Sequence, residues 1–303
     1  MRIFKWIGIV MLSIAALCGV AVGVVWMLSN KKLARTYDVT VAPVAIPADS
    51  ASIARGRHIA RAVAKCVECH GEDLGGTEFI NAAPFAVIPA RNLTGGRGGS
   101  GQAFSDIDYV RAIRHGVRPN GRGAMVMPAE AYRYMSDEDL GALIAYLKSV
   151  PPVDREWAEP RLGIIGRILL LTDKVPLFPA ATFDHTRADV PAAPPADTTV
   201  AYGQYLANVG GCTTCHGPNL AGRPPMNGDP HAKPSANLTP GGIPQWTEAD
   251  FTRVLRDGLS VGGRVVDSLA MPIRFTRELT DAEIHALWLF LRSMPARQFG
   301  EMQ

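Results

Sequence analysis

The sequence predicts an all-α fold: two tandem copies of one helical domain behind an N-terminal transmembrane helix. Three observations carry this. Residues Ile7 to Leu28 run without a charge. The remainder of the 303-residue chain repeats itself at shifts of 142 to 146 residues. Within each copy the apolar residues recur at helical spacing, and no segment shows the sustained alternation of a strand. Composition agrees with ordinary packing, with 47% hydrophobic and 19% charged residues. Residues 1–50 hold five Lys/Arg against two Asp/Glu, which accounts for the whole net charge of +3. The neutral body that follows exerts no long-range pull on phosphate, so nucleic acid is excluded as a partner.

The first element is the anchor, residues 1–35. Its 22 uncharged residues span roughly 33 Å as a helix, enough to cross a hydrocarbon core. Trp6 and Trp26 lie where interfacial aromatics belong. Arg2 and Lys5 give the start a signal-peptide look, but the apolar run is long and no small-residue cleavage site follows it. An uncleaved single-pass anchor is therefore expected, with Cys18 a small apolar residue facing lipid.

The first domain is expected over residues 51–153 and the second over 198–303. Gly56, Ile59 and Ala60 are mirrored by Gly203, Leu206 and Ala207 in an opening helix. Ser105–Asp108 and Thr247–Asp250 read as Ser/Thr-x-x-acid starts of a middle helix. Leu140, Leu143, Ile144 and Leu147 mark the last helix of the first copy, and Ile284, Leu287, Trp288 and Leu291 that of the second. Ser136 and Thr280 cap these helices, and Pro151 and Pro295 end them. Gly/Pro-rich loops such as Thr94–Gly101 and Gly222–Pro230 join the helices. Residues 154–197 form a linker holding a short apolar helix, Leu162–Leu171, interrupted only by Gly163, Gly166 and Arg167. Arg167 and Lys174 share one face of it. Such a helix is expected to clasp the two domains together, or else to dock on a partner or the membrane surface.

Two Cys-x-x-Cys-His pentads carry the chemistry: Cys66, Cys69 and His70 in the first copy, Cys212, Cys215 and His216 in the second. Two thiols one helical turn apart can each add to a vinyl group of haem, and the adjacent His then supplies an axial nitrogen. A zinc ribbon needs its cysteine pairs about 15–20 residues apart, whereas 143 separate Cys69 from Cys212. A thioredoxin-like motif needs a βαβ unit, which nothing here suggests. Two haem c groups are expected. The sixth iron ligand must come from elsewhere, and Met127 and Met271 are repeat-equivalent, precede a proline and stand before the last helix. Thioether sulfur raises the potential and closes the iron to outside ligands. Met125 rivals Met127. Met135, Met226 and Met294 read as core or loop residues. His115 has Asp257 as its repeat partner, which makes it a weaker alternative ligand. His58, His185, His231 and His285 have no ligand context. Arg111/Arg253 and Arg114/Arg256 either neutralise haem carboxylates or lie on a solvated helix face.

With its pentads, its Met-Pro pairs and its Asn92-Leu93-Thr94 and Asn237-Leu238-Thr239 loops, the chain resembles a membrane-anchored dihaem cytochrome c. It is similar also to the cytochrome subunits of membrane dehydrogenases, which carry three pentads to the two here. The resemblance implies that Met127 and Met271 are distal ligands, and that Asn92, Leu93, Asn237 and Leu238 run beside the haems. It implies an electron carrier rather than an enzyme. Its partners would be a dehydrogenase, a quinol-oxidising complex or a terminal oxidase. A dihaem peroxidase has similar length and two pentads but needs one displaceable distal ligand, where both sites here offer Met. A dihaem thiosulfate dehydrogenase needs a Cys ligand, and the one spare thiol, Cys18, lies in the anchor. Covalent haem attachment occurs outside the cytoplasmic membrane, so the haem domains are expected in the periplasm, although Lys31, Lys32 and Arg35 outnumber Arg2 and Lys5 in the opposite sense.

Overall fold

A computed structural model gives the fold and describes residues 2–173, 176–186, 197–225, 233–268 and 270–301. Lys174, Met226, His231 and most of the loop 222–230 lie outside the described residues. Helix α1 (Arg2–Leu33) is long and apolar enough to cross a membrane, and its side chains, Cys18 among them, are exposed nearly throughout. Each copy then runs through the same series of helices, with one short extra helix in the first. In the first copy these are α2 (Ser50–His58), α3 (Cys66–His70), a short α4 (Ser100–Ala103), α5 (Asp106–His115), α6 (Ala129–Tyr132) and α7 (Asp137–Ser149). After the intervening α8 (Ile164–Thr172), the second copy runs through α9 (Val200–Val209), α10 (Cys212–His216), α11 (Glu248–Asp257), α12 (Ile273–Thr276) and α13 (Asp281–Ser293).

The caps fall where the sequence puts them. Ser105 with Asp108, Thr247 with Asp250 and Thr280 with Glu283 form reciprocal capping boxes, and the Ser136 hydroxyl accepts from the Asp139 amide. In each copy the opening and closing helices cross on a glycine. A Cβ on Gly56 would stand 1.9 Å from the Ala142 carbonyl oxygen, and one on Gly203 the same distance from that of Ala286. Ile59, Leu140 and Ile144 in one copy and Leu206, Ile284 and Leu291 in the other belong to one continuous core.

The fold is mainly helical, as expected, with one small sheet that the sequence did not announce. Strands β1 (Thr77–Ala82), β2 (Ala86–Ala90) and β3 (Arg161–Leu162) form a three-stranded antiparallel sheet in that order. Its first strand lies on the surface with no regular alternation of buried and exposed side chains, so it leaves no period-two signal. The second sheet partner comes from what reads as linker. Residues 153–162 pack back on the first copy: the Trp157 indole donates to Gly75 O at 2.9 Å, and Asn92 donates to Val153 O at 2.7 Å.

Helix α8 also sits elsewhere than expected. Among the described residues it packs along the end of α1 and on the β1–β2 hairpin rather than between the two domains. The three interruptions in its apolar run are what dock it. A Cβ on Gly163 would meet Pro84 O at 1.9 Å and one on Gly166 would meet Phe85 O at 2.4 Å. Arg167, 8% exposed, lies 3.6 Å over the Trp26 ring and donates to Ser29 Oγ and Asn30 Oδ1 at 2.6 and 2.8 Å.

Candidate haem sites

Each pentad helix starts from a residue in left-handed conformation: Lys65 (φ 53°) before Cys66 and Gly211 (φ 70°) before Cys212. Each pentad His is fixed by a backbone carbonyl 20 or 21 residues on. His70 Nδ1 donates to Arg91 O at 2.6 Å and His216 Nδ1 to Ala236 O at 2.8 Å. With Nδ1 carrying the proton, Nε2 keeps its lone pair, the state a metal-binding imidazole needs. Burial holds both imidazoles below their ordinary pKa, against the pull of those carbonyls. Burial also pushes the Cys66 and Cys69 thiols up to about 12, so neither is a free reactive thiolate. Among the described residues no three His, Cys, Asp or Glu side chains converge on a metal-binding point.

A cavity of about 650 Å³ opens beside the first pentad, lined by Cys66, Cys69, His70, Leu93 and Met127. Met125 lines it too, but the two methionines belong to different neighbourhoods. Met127, like Cys66, packs on the main core; Met125, like Val126, packs on the cluster formed by the hairpin, Leu162 and Leu170. Met271, the counterpart of Met127, packs on the main core, as Cys212 does. The prolines after both methionines have nearly the same backbone, φ −78° and ψ 58° at Pro128, φ −77° and ψ 60° at Pro272, and each starts a one-turn helix.

In the Asn-Leu-Thr loops the asparagines act as staples rather than facing the cavity. Asn92 Oδ1 accepts from the Thr94 amide and hydroxyl at 2.9 and 2.8 Å, and Asn237 does the same with Thr239. Their amides reach the segment beyond the last helix of each copy, Asn237 donating to Arg297 O at 2.8 Å. Leu93 is the loop residue at the cavity, and Leu238 takes the matching place on the core.

Of the middle-helix arginines, Arg253 lies on an exposed helix face as one reading had it, while Arg114 and Arg256 make tertiary contacts that neither reading gave. Arg114 donates to Met135 O and Asp137, and Arg256 to Leu279 O and Asp281, so both tie the middle helix to the start of the last one. Arg111 is held by Asp108 and Val39 O, and Arg253 by Asp250. His115 Nδ1 faces His185 Nδ1 at 3.1 Å, away from the cavity, and burial together with the charge of His185 brings its pKa down to about 4. The sequence did not single out Lys65, Ser100, Tyr109 or Arg118, all of which line the first cavity. Lys65 had left one signal, a cation where the other copy has Gly211. Its Nζ crosses to the second copy and donates to Gly210 O at 2.6 Å, which joins the two pentad loops.

The family model of cytochrome c matches residues 53–151 and 200–295. The chain belongs to the cytochrome c family. As such it is an electron-transport protein of a class that holds haem covalently. The first cavity suits that group. Tyr109 Oη, Ser100 Oγ and Arg118 Nε are buried there without a hydrogen-bond partner, which a group bearing carboxylates can satisfy. The fructose dehydrogenase cytochrome subunit of Gluconobacter japonicus is 29% identical over 84% of this chain and 55% of its own length. The cytochrome c subunit of a quinone alcohol dehydrogenase from Komagataeibacter europaeus is 28% identical over 89% of this chain and 59% of its own. A dihaem cytochrome c-type protein of Cereibacter sphaeroides is 25% identical over 76% and 82%. The chain thus spans little more than half the length of the dehydrogenase subunits that it matches.

Proposed function

We propose that this chain is a membrane-anchored electron-transfer subunit with two haem c groups. Cys66 with Cys69 and Cys212 with Cys215 hold the haems. His70 with Met127 and His216 with Met271 are their axial ligands. The observation that carries this reading is the repeat of one arrangement in both copies: a carbonyl-fixed pentad His, and a Met-Pro turn packed on the same core as the first pentad cysteine. Bound haem supplies a one-electron couple; the two methionines hold both irons closed, which favours electron transfer over chemistry at iron. The electrons come from the catalytic subunit of a membrane dehydrogenase, as the relatives' names suggest, and leave to an acceptor in or at the membrane, a quinone-linked complex or terminal oxidase. Helix α1 holds the chain in the cytoplasmic membrane with the haem domains in the periplasm, where covalent attachment takes place.

The purified protein should exceed its chain mass by two haems and keep its colour through acid–acetone extraction. Oxidised, it should show the weak far-red band of Met sulfur on ferric iron. Met127→Ala and Met271→Ala should each remove about half of that band and admit cyanide at one iron. An unchanged band in Met127→Ala, with loss in Met125→Ala, would reassign the first ligand. Peroxide turnover by the reduced protein would instead favour the peroxidase reading. Protease added to spheroplasts should release the haem-bearing fragment, and full protection would reverse the topology.

A further inference from the structure

The two sites come from one repeat but differ in charge. Five arginines line the first cavity, Arg91, Arg118, Arg122, Arg161 and Arg167, against the single carboxylate of Glu159. Arg91 and Arg118 share that carboxylate at 2.5 and 3.3 Å. Among the described residues, no carboxylate comes within ion-pair distance of Arg122, Arg161 or Arg167. At the second pentad, among the described residues, Arg223 donates to Thr214 O at 3.0 Å, but most positions that correspond to the first site's arginines carry no charge. Arg91, whose carbonyl fixes His70, corresponds to Ala236, whose carbonyl fixes His216. Arg118, whose amide donates to Arg122 O, corresponds to Ser260, whose amide donates to Arg264 O. Arg122 keeps a cationic counterpart, Arg264, both of them exposed, while the exposed Arg161 and the buried Arg167 lie outside the repeat altogether. The second site is also wetter at its thiols, for Cys215 is exposed where Cys69 is half-buried.

Oxidised haem carries one more positive charge than reduced haem, so fixed cations and exclusion of water both favour the reduced form. Both haems bring the same carboxylates, so the difference between the sites is the protein's own. We propose that the first haem is the higher-potential one, that Arg118 sets much of the difference, and that electrons therefore run from the second copy to the haem beside the anchor. Arg118 is a positioning charge for the redox step and not a ligand. Trp26 and Leu33 of α1 line the same cavity, so the electron comes to rest at the membrane end of the molecule. This rests on the two-haem reading above.

The test is a spectroelectrochemical titration of the full-length holoprotein in detergent. Wild type should show two one-electron waves. Arg118→Gln should lower the upper wave by on the order of tenfold in its reduction equilibrium, about 59 mV, and leave the lower wave in place. Arg118→Lys, which keeps the charge, should restore most of the shift. Glu159→Gln should move the upper wave upward, and it tests the same charge balance if the Arg118 variants fail to fold. Superimposed wild-type waves, a shift confined to the lower wave, or no shift in either variant would overturn the proposal. Covalent haem content and the far-red Met–iron band, read on the same samples, report separately on the two-haem reading.

Discussion

Gly56 and Gly203 show at single residues what the repeat preserves. Each sits where the first and last helices of a copy cross, and a methyl group there would overlap the facing carbonyl. Alanine at either position has to push those helices apart. Gly56→Ala should therefore cost about 1–3 kcal/mol, read as a lower midpoint in chemical denaturation of the holoprotein. Gly95→Ala is the control, since a Cβ there meets nothing within 4 Å and should be nearly neutral. If both substitutions behave alike, the crossing is not as tight as described. The glycine pair was legible in the sequence as a repeat, but not as a crossing, because spacing gives a helix face and not what lies against it. The same limit applied to Met127 and Met125. Both reach the cavity, and only their packing partners separate them.

At the scale of elements, the helices were legible and the sheet was not. Helices α7 and α13 declare themselves by period and caps. Strand β1 is exposed on both faces, and β3 is two residues long, so neither leaves a pattern to read. Helix α8 was legible as a helix, but its destination was not. Gly163, Gly166 and Arg167 look like flaws in an apolar run until the hairpin and the anchor are in place around them. Arg167 has no carboxylate partner among the described residues. Its contacts with Trp26, Ser29 and Asn30 hold α8 to the anchor. Hydrogen bonds to a charged group are worth about 1.5–3 kcal/mol. Arg167→Ala should thus speed amide hydrogen exchange across Ile164–Thr172 by about tenfold or more, with α13 unaffected. Unchanged exchange would mean that the glycine contacts alone seat the helix.

For the whole molecule, the two copies meet around a near-twofold cluster that the sequence conceals. Asp139 accepts from Arg55 and from Tyr205 Oη, at 2.8 and 2.7 Å. Glu283, its repeat counterpart, accepts from Tyr202 Oη at 3.3 Å and His58 Nε2 at 2.8 Å. Arg55 corresponds to Tyr202 and His58 to Tyr205, so the same geometry is built from unlike side chains and leaves no repeat to see. Arg55 closes the cluster by reaching Glu283 across the interface at 3.2 Å. Outside it, Arg61 joins Glu278 and Glu72 nearer solvent, where ion pairs contribute less. Burial alone would raise the pKa of Glu283, yet the hydrogen bond and charge of His58, the Thr280 amide and the charge of Arg55 bring it down to about 2 from an ordinary 4.5. A carboxylate with a depressed pKa stabilises the folded state above its ordinary value, and that contribution fades as pH falls toward the depressed one. Here it amounts to on the order of 3 kcal/mol. Wild type should therefore lose stability between about pH 4.5 and 2, detected by denaturant titration at each pH. Glu283→Gln keeps an acceptor for the Thr280 amide but not the charge, so it should be weaker at pH 7 and fall less steeply through that window. Parallel pH curves for the two proteins would show that the ionised Glu283 does not hold the copies together.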